Sequence, residues 1–293
     1  MGERGDVMEW VEAIRTAISY VEDHLEDDQL TAETVADAVH ISSFHFQKGF
    51  SVVCGITLTE YIRNRRLSLA GRDLQAEGNK VIDIALKYGY ESTDSFSKAF
   101  TRFHGITPMQ AKKGAGELKN FLPLKVTLSM KGGFEMDCKI VRKPAFTVIA
   151  SSVEVKNDEG AEMCPRFWNE HFGRGDGKYI KGVYGVSLDI GKPGCFIYLI
   201  ADEYDPEKEY PERFEKIIIP EYTWAVFPVT GPMPDAFQKV FKGIYAEWLP
   251  GNPDYECVNG SSVEYYSCAE QYPNGTADEN YYSEIWIPVK PKK

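Results

Sequence analysis

The chain has few histidines, no paired cysteines and no long apolar run. Its five histidines, His24, His40, His45, His104 and His171, are spread along 293 residues, four of them in the first half. No Ser/His/Asp or Cys/His arrangement can be built from them, so nucleophilic catalysis has no support. The six cysteines (Cys54, Cys138, Cys164, Cys195, Cys257, Cys268) contain no CxxC pair, which argues against a zinc site and fits free, mostly buried thiols in a reducing cytoplasmic interior. No P-loop or nucleotide-binding glycine motif is present. No segment approaches the ~18 to 20 apolar residues of a membrane span, and the opening MGERGDVMEW lacks the apolar run of a signal peptide. The expectations are a cytoplasmic protein with no metal, no cofactor, no membrane partner and no enzymatic activity.

What the chain has is repetition. KGFSVVCGIT at 48–57 returns as KAFTRFHGIT at 98–107: Phe50, Gly55, Ile56 and Thr57 recur fifty residues on as Phe100, Gly105, Ile106 and Thr107. Ser42, Phe46 and Lys48 likewise return as Ser92, Phe96 and Lys98. A fixed offset over so many positions marks a duplicated structural unit. Charge follows the same division. The net charge is −11, but 41–72 holds five basic residues and one acid, and 92–113 four and one. A local basic window, not the total, governs contact with phosphate.

The first repeat is preceded by a helical pattern over 8–28, with Trp10, Ile14, Ala17, Ile18 and Val21 on one face. Thr31 caps a short helix through Val35, Ala36 and Val39. Ser42 and Ser43 open SSFHFQKGFSVVC, which Gly55 ends. Two helices joined by about three residues form a helix-turn-helix. A long helix from Thr59 to about Gln75 leads to the second copy, with Val81 to Leu86 as the short helix and Ser92 or Thr93 capping SFSKAFTRFH up to Gly105. Phe46 and Phe50, then Phe96 and Phe100, are spaced for the inner faces. Ser43, Phe44, Gln47 and Lys48 in one copy, and Thr93, Asp94, Lys98 and Arg102 in the other, are left to point away. These are side chains suited to base edges and phosphates. Two such units can enter successive major grooves, ~34 Å apart, so double-stranded DNA is the expected partner and a monomer or weak dimer the expected form. RNRR at 63–66 fits the connecting helix better than base reading.

Residues 8–113 resemble the DNA-binding domain of AraC/XylS-type transcription regulators. LTAETVADAVHISSFHFQKGF and IDIALKYGYESTDSFSKAFTRFHGITPMQAK carry the likeness. It implies seven helices, with the third and sixth entering the groove, and base contacts from Phe44, Gln47, Lys48, Thr93, Asp94 and Lys98. It leaves RNA polymerase open as a further partner. Ala111-Lys112 departs from the aromatic–arginine pair often found at the motif's end.

After GAGELKN the texture changes to period-two segments rich in Val, Ile, Tyr and Phe. PAFTVIASSV, CPRFWNEHF, KGVYGVSLDI and CFIYLIADEY read as β-α-β-β. YTWAVFPVTG, DAFQKVFKGIYAEWL, SSVEYYSCAEQY and YYSEIWIPVK read as a second such unit. The fold expected is therefore an all-α double helix-turn-helix domain (1–113), a linker (114–133), and an α+β domain of two pseudo-symmetric β-α-β-β units (134–293). The α+β part resembles GyrI-like effector-binding domains in PAFTVIA, IYAEWLP and SEIWIPVK, a Rob-like arrangement with the sensing domain last.

Glu284 is the candidate binding carboxylate. Strand parity puts it on one face with Tyr282 and Trp286. A carboxylate buried there without a partner would be costly, and an organic cation could supply the missing charge with aromatic help. Register between the halves places Tyr198 opposite Glu284, and Tyr184, Trp168, Trp224 and Trp248 are candidates for the pocket wall. The expected effector is small, apolar and cationic. The alternative is a hydrolase using Glu284, since some relatives of this domain are similar to ring-opening hydrolases.

Overall fold

The computed structural model describes residues 6–126, 136–192 and 194–292. The expected linker falls outside them from residue 127 on, as does the expected domain start at 134. Two compact units form, and the chain contributes to them out of order. One gathers the described parts of Met1–Trp10, Ser42–Gly55 and Ser129–Lys293; the other holds Val11–Ile41 and Ile56–Leu128. The helix expected to read DNA in the first repeat therefore clusters with the sheet unit.

The helices fall where capping and periodicity put them. Helix α1 runs over Asp6–Asp23, α2 over Ala32–Ala38, α3 over Ser43–Cys54 and α4 over Leu58–Gln75. After them come α5 (Val81–Lys87), α6 (Thr93–His104) and α7 (Pro108–Lys112). Thr31, Thr57, Ser92 and Thr107 each accept a backbone N–H with the side-chain oxygen at an N-terminus. Gly55 and Gly105 end α3 and α6 at φ +74° and +82°, the left-handed geometry that favours glycine.

In the helical unit, Leu67, Ala70 and Leu74 of α4 pack with Ile84 and Ala85 of α5, Phe96 and Phe100 of α6, and Ala111 of α7. His104 closes this core. Its Nδ1 accepts the Lys119 N–H at 3.1 Å, so Nε2 carries the proton and donates to the Leu67 carbonyl at 3.0 Å. Burial holds its pKa below the ordinary histidine value. Arg65 and Arg66 of RNRR are structural. Arg65 grips Glu22 through Nε (2.8 Å) and Nη2 (2.6 Å) and also reaches the Phe121 carbonyl, while Arg66 donates to the Leu25 and Asp27 carbonyls.

Among the described residues the sheet unit holds nine antiparallel strands. They are β1 (Lys139–Lys143), β2 (Phe146–Lys156), β3 (Tyr184–Leu188), β4 (Cys195–Glu203), β5 (Glu215–Ile219), β6 (Tyr222–Thr230), β7 (Tyr255–Cys257), β8 (Ser262–Tyr266) and β9 (Tyr282–Pro291). The order is β1-β6-β9-β8-β3-β4-β2-β5, with β7 on β9. Helix α8 (Gly160–Gly173) links β2 to β3, and α9 (Asp235–Gly243), continued by a π-turn over Ile244–Trp248, leads toward β8. The two β-α-β-β halves thus meet at the β3–β8 seam, where Tyr184 faces Tyr265 and Gly185 faces Glu264. The edge strands are exchanged: β1, which precedes β2, pairs with β6, and β5, which precedes β6, pairs with β2.

The sheet curls. Phe146 on β2 and Trp286 on β9 lie 6.5 Å apart, although four strand spacings, ~19 Å if flat, separate their strands. Its inner face carries Tyr184, Val186, Leu199, Trp224, Val263 and Trp286. The opposite face carries the helices.

Candidate DNA-reading helices and effector groove

Helix α6 has the arrangement expected of a reading helix. Phe96 and Phe100 are fully buried, whereas Thr93, Asp94, Lys98 and Arg102 are exposed. Asp94 and Lys98 pair at 2.8 Å across one turn, a contact too exposed to contribute much stability.

Helix α3 differs. Phe46 and Phe50 are buried as expected, but Phe44 and Gln47 are buried too and Lys48 is half-buried. The expectation that Phe44, Gln47 and Lys48 point to solvent is corrected. Phe44 stacks on Phe196 at 4.8 Å. Gln47 donates to Ser43 Oγ at 2.8 Å. Lys48 Nζ donates to Ser262 Oγ at 2.8 Å and lies 5.1 Å from the Phe241 ring and 5.4 Å from the Phe44 ring. The physical reason is apolar cover: burying an aromatic side chain is worth roughly 1.5–3 kcal/mol, and the sheet unit offers Phe44 a site. Burial pushes the Lys48 ammonium below the ordinary lysine value, and the charge of Glu264 pulls it partly back.

Small residues permit this approach. A Cβ on Gly49 would lie 2.2 Å from the Trp10 ring and 3.2 Å from Tyr245. A Cβ on Gly260 would lie 2.3 Å from the Phe44 ring and 3.0 Å from the His45 backbone nitrogen.

Lys48 enters a polar cluster set among aromatic rings on the helix-bearing face of the sheet, where Trp168 of α8 and Phe237 and Phe241 of α9 approach it. Glu264 Oε2 accepts the hydroxyls of Tyr198 and Tyr266, each at 2.8 Å. Tyr198 in turn accepts Trp168 Nε1–H at 2.9 Å. Burial first, then the Glu264 charge, raises both tyrosine pKa values well above the ordinary range. Trp168 meets Tyr266 edge-on at 5.6 Å, and Phe237 lies 6.0 Å from Tyr266. Gly185 makes room: a Cβ there would sit 2.5 Å from Glu264 Oε2 and 2.6 Å from the Tyr198 oxygen.

The residues named from sequence divide between the two faces. Tyr282, Glu284 and Trp286 share the inner face with Tyr184 and Trp224, while Tyr198 and Trp168 belong to the helix-bearing face. The expected Tyr198–Glu284 opposition is therefore corrected: Tyr198 meets Glu264, and Glu284 faces Tyr265 and Pro228 across its ladders. Glu284 is not an unpartnered carboxylate either, since it accepts Tyr282 OH and Trp286 Nε1–H, both at 2.6 Å. Trp248 packs edge-on against Phe227 at 4.9 Å in the core under α9. Sequence reasoning passes over Glu264, because recognising SSVEYYSCAEQY as a strand does not say where its carboxylate points. Parity with Ser262 and Tyr266 is the available signal.

His45 supplies a pH dependence. It stacks on Trp10 at 5.5 Å and meets Tyr245 edge-on at 6.0 Å. Burial, reinforced by Lys48, lowers its pKa from 6.5 to about 4. Between those values the unfolded chain takes up a proton that the folded chain refuses. Stability is full above pH 6.5 and falls as pH drops toward 4, by up to about 3 kcal/mol. Melting curves across this range, compared with His45→Phe, check it: the variant should lack this component, and parallel curves would assign the loss elsewhere.

Residues 35–114 match the helix-turn-helix domain family, and residues 139–289 match the family described as integron-associated effector binding protein. The chain is similar to the transcriptional regulator Rob of Salmonella typhimurium, 35% identical over 292 residues, covering 94% of this chain and 98% of that protein. It is 26% identical over 292 residues to the right origin-binding protein of Escherichia coli K12, with the same coverage. The uncharacterized regulator YbfP of Bacillus subtilis is 33% identical over 101 residues, 34% of each chain, so only about a third of that relative's length is spanned. Among the described residues no helix is long and apolar enough to cross a membrane. With both domains matched in this order, and a relative followed along nearly its whole length, the chain belongs to the AraC/XylS-type transcription regulators that carry a C-terminal GyrI-like effector-binding domain.

Proposed function

We propose that the chain regulates transcription by reading duplex DNA through the exposed side chains of α6 and the polar side chains of α3, and that it responds to a small lipophilic monocation bound in the groove beside α8 and α9. The observation that carries the effector half is Glu264, a carboxylate that takes two tyrosine hydroxyls on one oxygen and acts on an ammonium group already held beside aromatic rings. A cation loses hydration on entering such a recess and regains stabilisation from the carboxylate and the ring faces. The DNA half rests on the duplicated motif and on a reading helix whose outward residues are exposed.

Selection of bound duplexes from random DNA, with and without lipophilic cations, tests the whole reading. On a recovered duplex, Lys98→Ala with Arg102→Ala should weaken binding and flatten the log–log salt dependence by about 1 for each phosphate that is no longer neutralised. An unchanged slope would remove both residues from the interface.

A further inference from the structure

We infer that α3 is the effector groove's own occupant: Lys48 and Phe44 stand where the cationic head and aromatic body of an effector would stand, so that effector binding frees α3 to read DNA. This rests on reading the groove as the effector site.

Three observations converge. First, the chemistry that holds Lys48 is the chemistry that recognises an organic cation. Its ammonium lies near the Phe241 and Phe44 rings, bonds Ser262 and feels the Glu264 charge, while Phe44 stacks on Phe196. Second, Phe44, Gln47 and Lys48 are the side chains through which α3 would touch bases, and a side chain cannot fill the groove and read DNA at once. The duplicate helix is not so engaged: Lys98, the counterpart of Lys48 fifty residues on, is exposed and pairs, among the described residues, with its neighbour Asp94. Third, the fit is specific. Gly260, outside α3, leaves space that a single methyl group would take from Phe44 and from the His45 backbone.

The docked lysine is also replaceable. Its ammonium gives up water for one hydroxyl, two ring faces and a carboxylate that tyrosines already share. A monocation bearing two or more aromatic rings brings the same charge with more apolar surface and no helix to tether. Because it would bind the α3-released state better than the docked state, it shifts the population toward release. By linkage, DNA that captures α3 must strengthen effector binding by the same factor.

The test uses the full chain, a duplex recovered from random DNA, and tetraphenylphosphonium, with triphenylphosphine oxide as its neutral counterpart. Tetraphenylphosphonium should raise DNA affinity about tenfold, and DNA should raise tetraphenylphosphonium affinity equally. Gly260→Ala, which crowds the docked Phe44 and so α3 but replaces neither Glu264 nor any DNA-reading residue, should bind DNA about tenfold tighter without ligand, and tetraphenylphosphonium should then add less than about threefold. Lys48→Met, measured without DNA, should bind tetraphenylphosphonium about tenfold tighter than the parent, because the competing ammonium is gone. Both variants keeping parental values would overturn the inference. So would tetraphenylphosphonium binding that Glu264→Gln abolishes but that leaves DNA affinity unmoved; in that case the effector site stands and the occupant role falls. Failure of tetraphenylphosphonium to bind the parent and Gly260→Ala alike would overturn the groove assignment itself. Binding to Gly260→Ala alone would support the occupant directly.

Discussion

Arg65→Ala should cost the helical unit about 3–5 kcal/mol, a large part of the 5–15 kcal/mol that typically separates folded from unfolded domains. Arg65 is 5% exposed and holds both oxygens of Glu22. Tyr61 donates to the same carboxylate at 2.7 Å. The guanidinium also satisfies the Phe121 carbonyl, so one substitution strips partners from an acid and from a main-chain oxygen. The size of the effect comes from the charge left behind, not from the intrinsic worth of an ion pair. Arg65→Met with Glu22→Leu, which removes both charges, should therefore recover much of the loss. Urea unfolding of the full chain, followed by helical ellipticity, reads the transition, and the exposed Arg15–Glu12 pair is the control expected to be silent. A loss below about 1 kcal/mol would mean that the pair behaves as a surface contact.

The helices between residues 6 and 112 are legible in the sequence because their signals are local. Caps at Thr31, Ser92 and Thr107, glycines at 55 and 105, and phenylalanines four apart each act within a turn or two of helix. The boundaries follow to within a few residues, apart from α1, which stops at Asp23 rather than running to 28. The fate of RNRR is half legible. Its side chains fit the connecting helix, but no local pattern names Glu22 as the partner of Arg65, 43 residues away.

In the sheet unit the order of strands and helices is readable from periodicity, and two β-α-β-β units can be counted. The register between the halves is not, because strand parity fixes which residues share a face but not which face a given strand presents. Aligning the two halves by register pairs Tyr198 with Glu284 on β9, whereas its hydroxyl reaches Glu264 on β8. The same gap hides the docking of α3. Helical periodicity correctly places Phe46 and Phe50 inside, but it cannot say that a second apolar surface, from residues 150 or more positions downstream, covers the other side. An outward phenylalanine at 44, one that solvent should not favour, is the one hint.

Glu264→Gln should lower affinity for a lipophilic monocation by about 2 kcal/mol or more, ~30-fold, and leave a neutral ligand of the same shape nearly unaffected. The substitution keeps volume and an acceptor for the Tyr198 and Tyr266 hydroxyls, so the loss reports the missing charge and not a collapsed pocket. Glu284→Gln is the matched comparison. That carboxylate lies on the inner face, is engaged by Tyr282 and Trp286, and is separated from the groove by the thickness of the sheet, so cation affinity should change less than about twofold. Calorimetric titration of both variants with tetraphenylphosphonium and with triphenylphosphine oxide distinguishes charge from shape. Should Glu284→Gln carry the loss and Glu264→Gln none, the effector belongs inside the curl of the sheet, beside Trp286 and Tyr265, and α3 then has no bound cation to compete with.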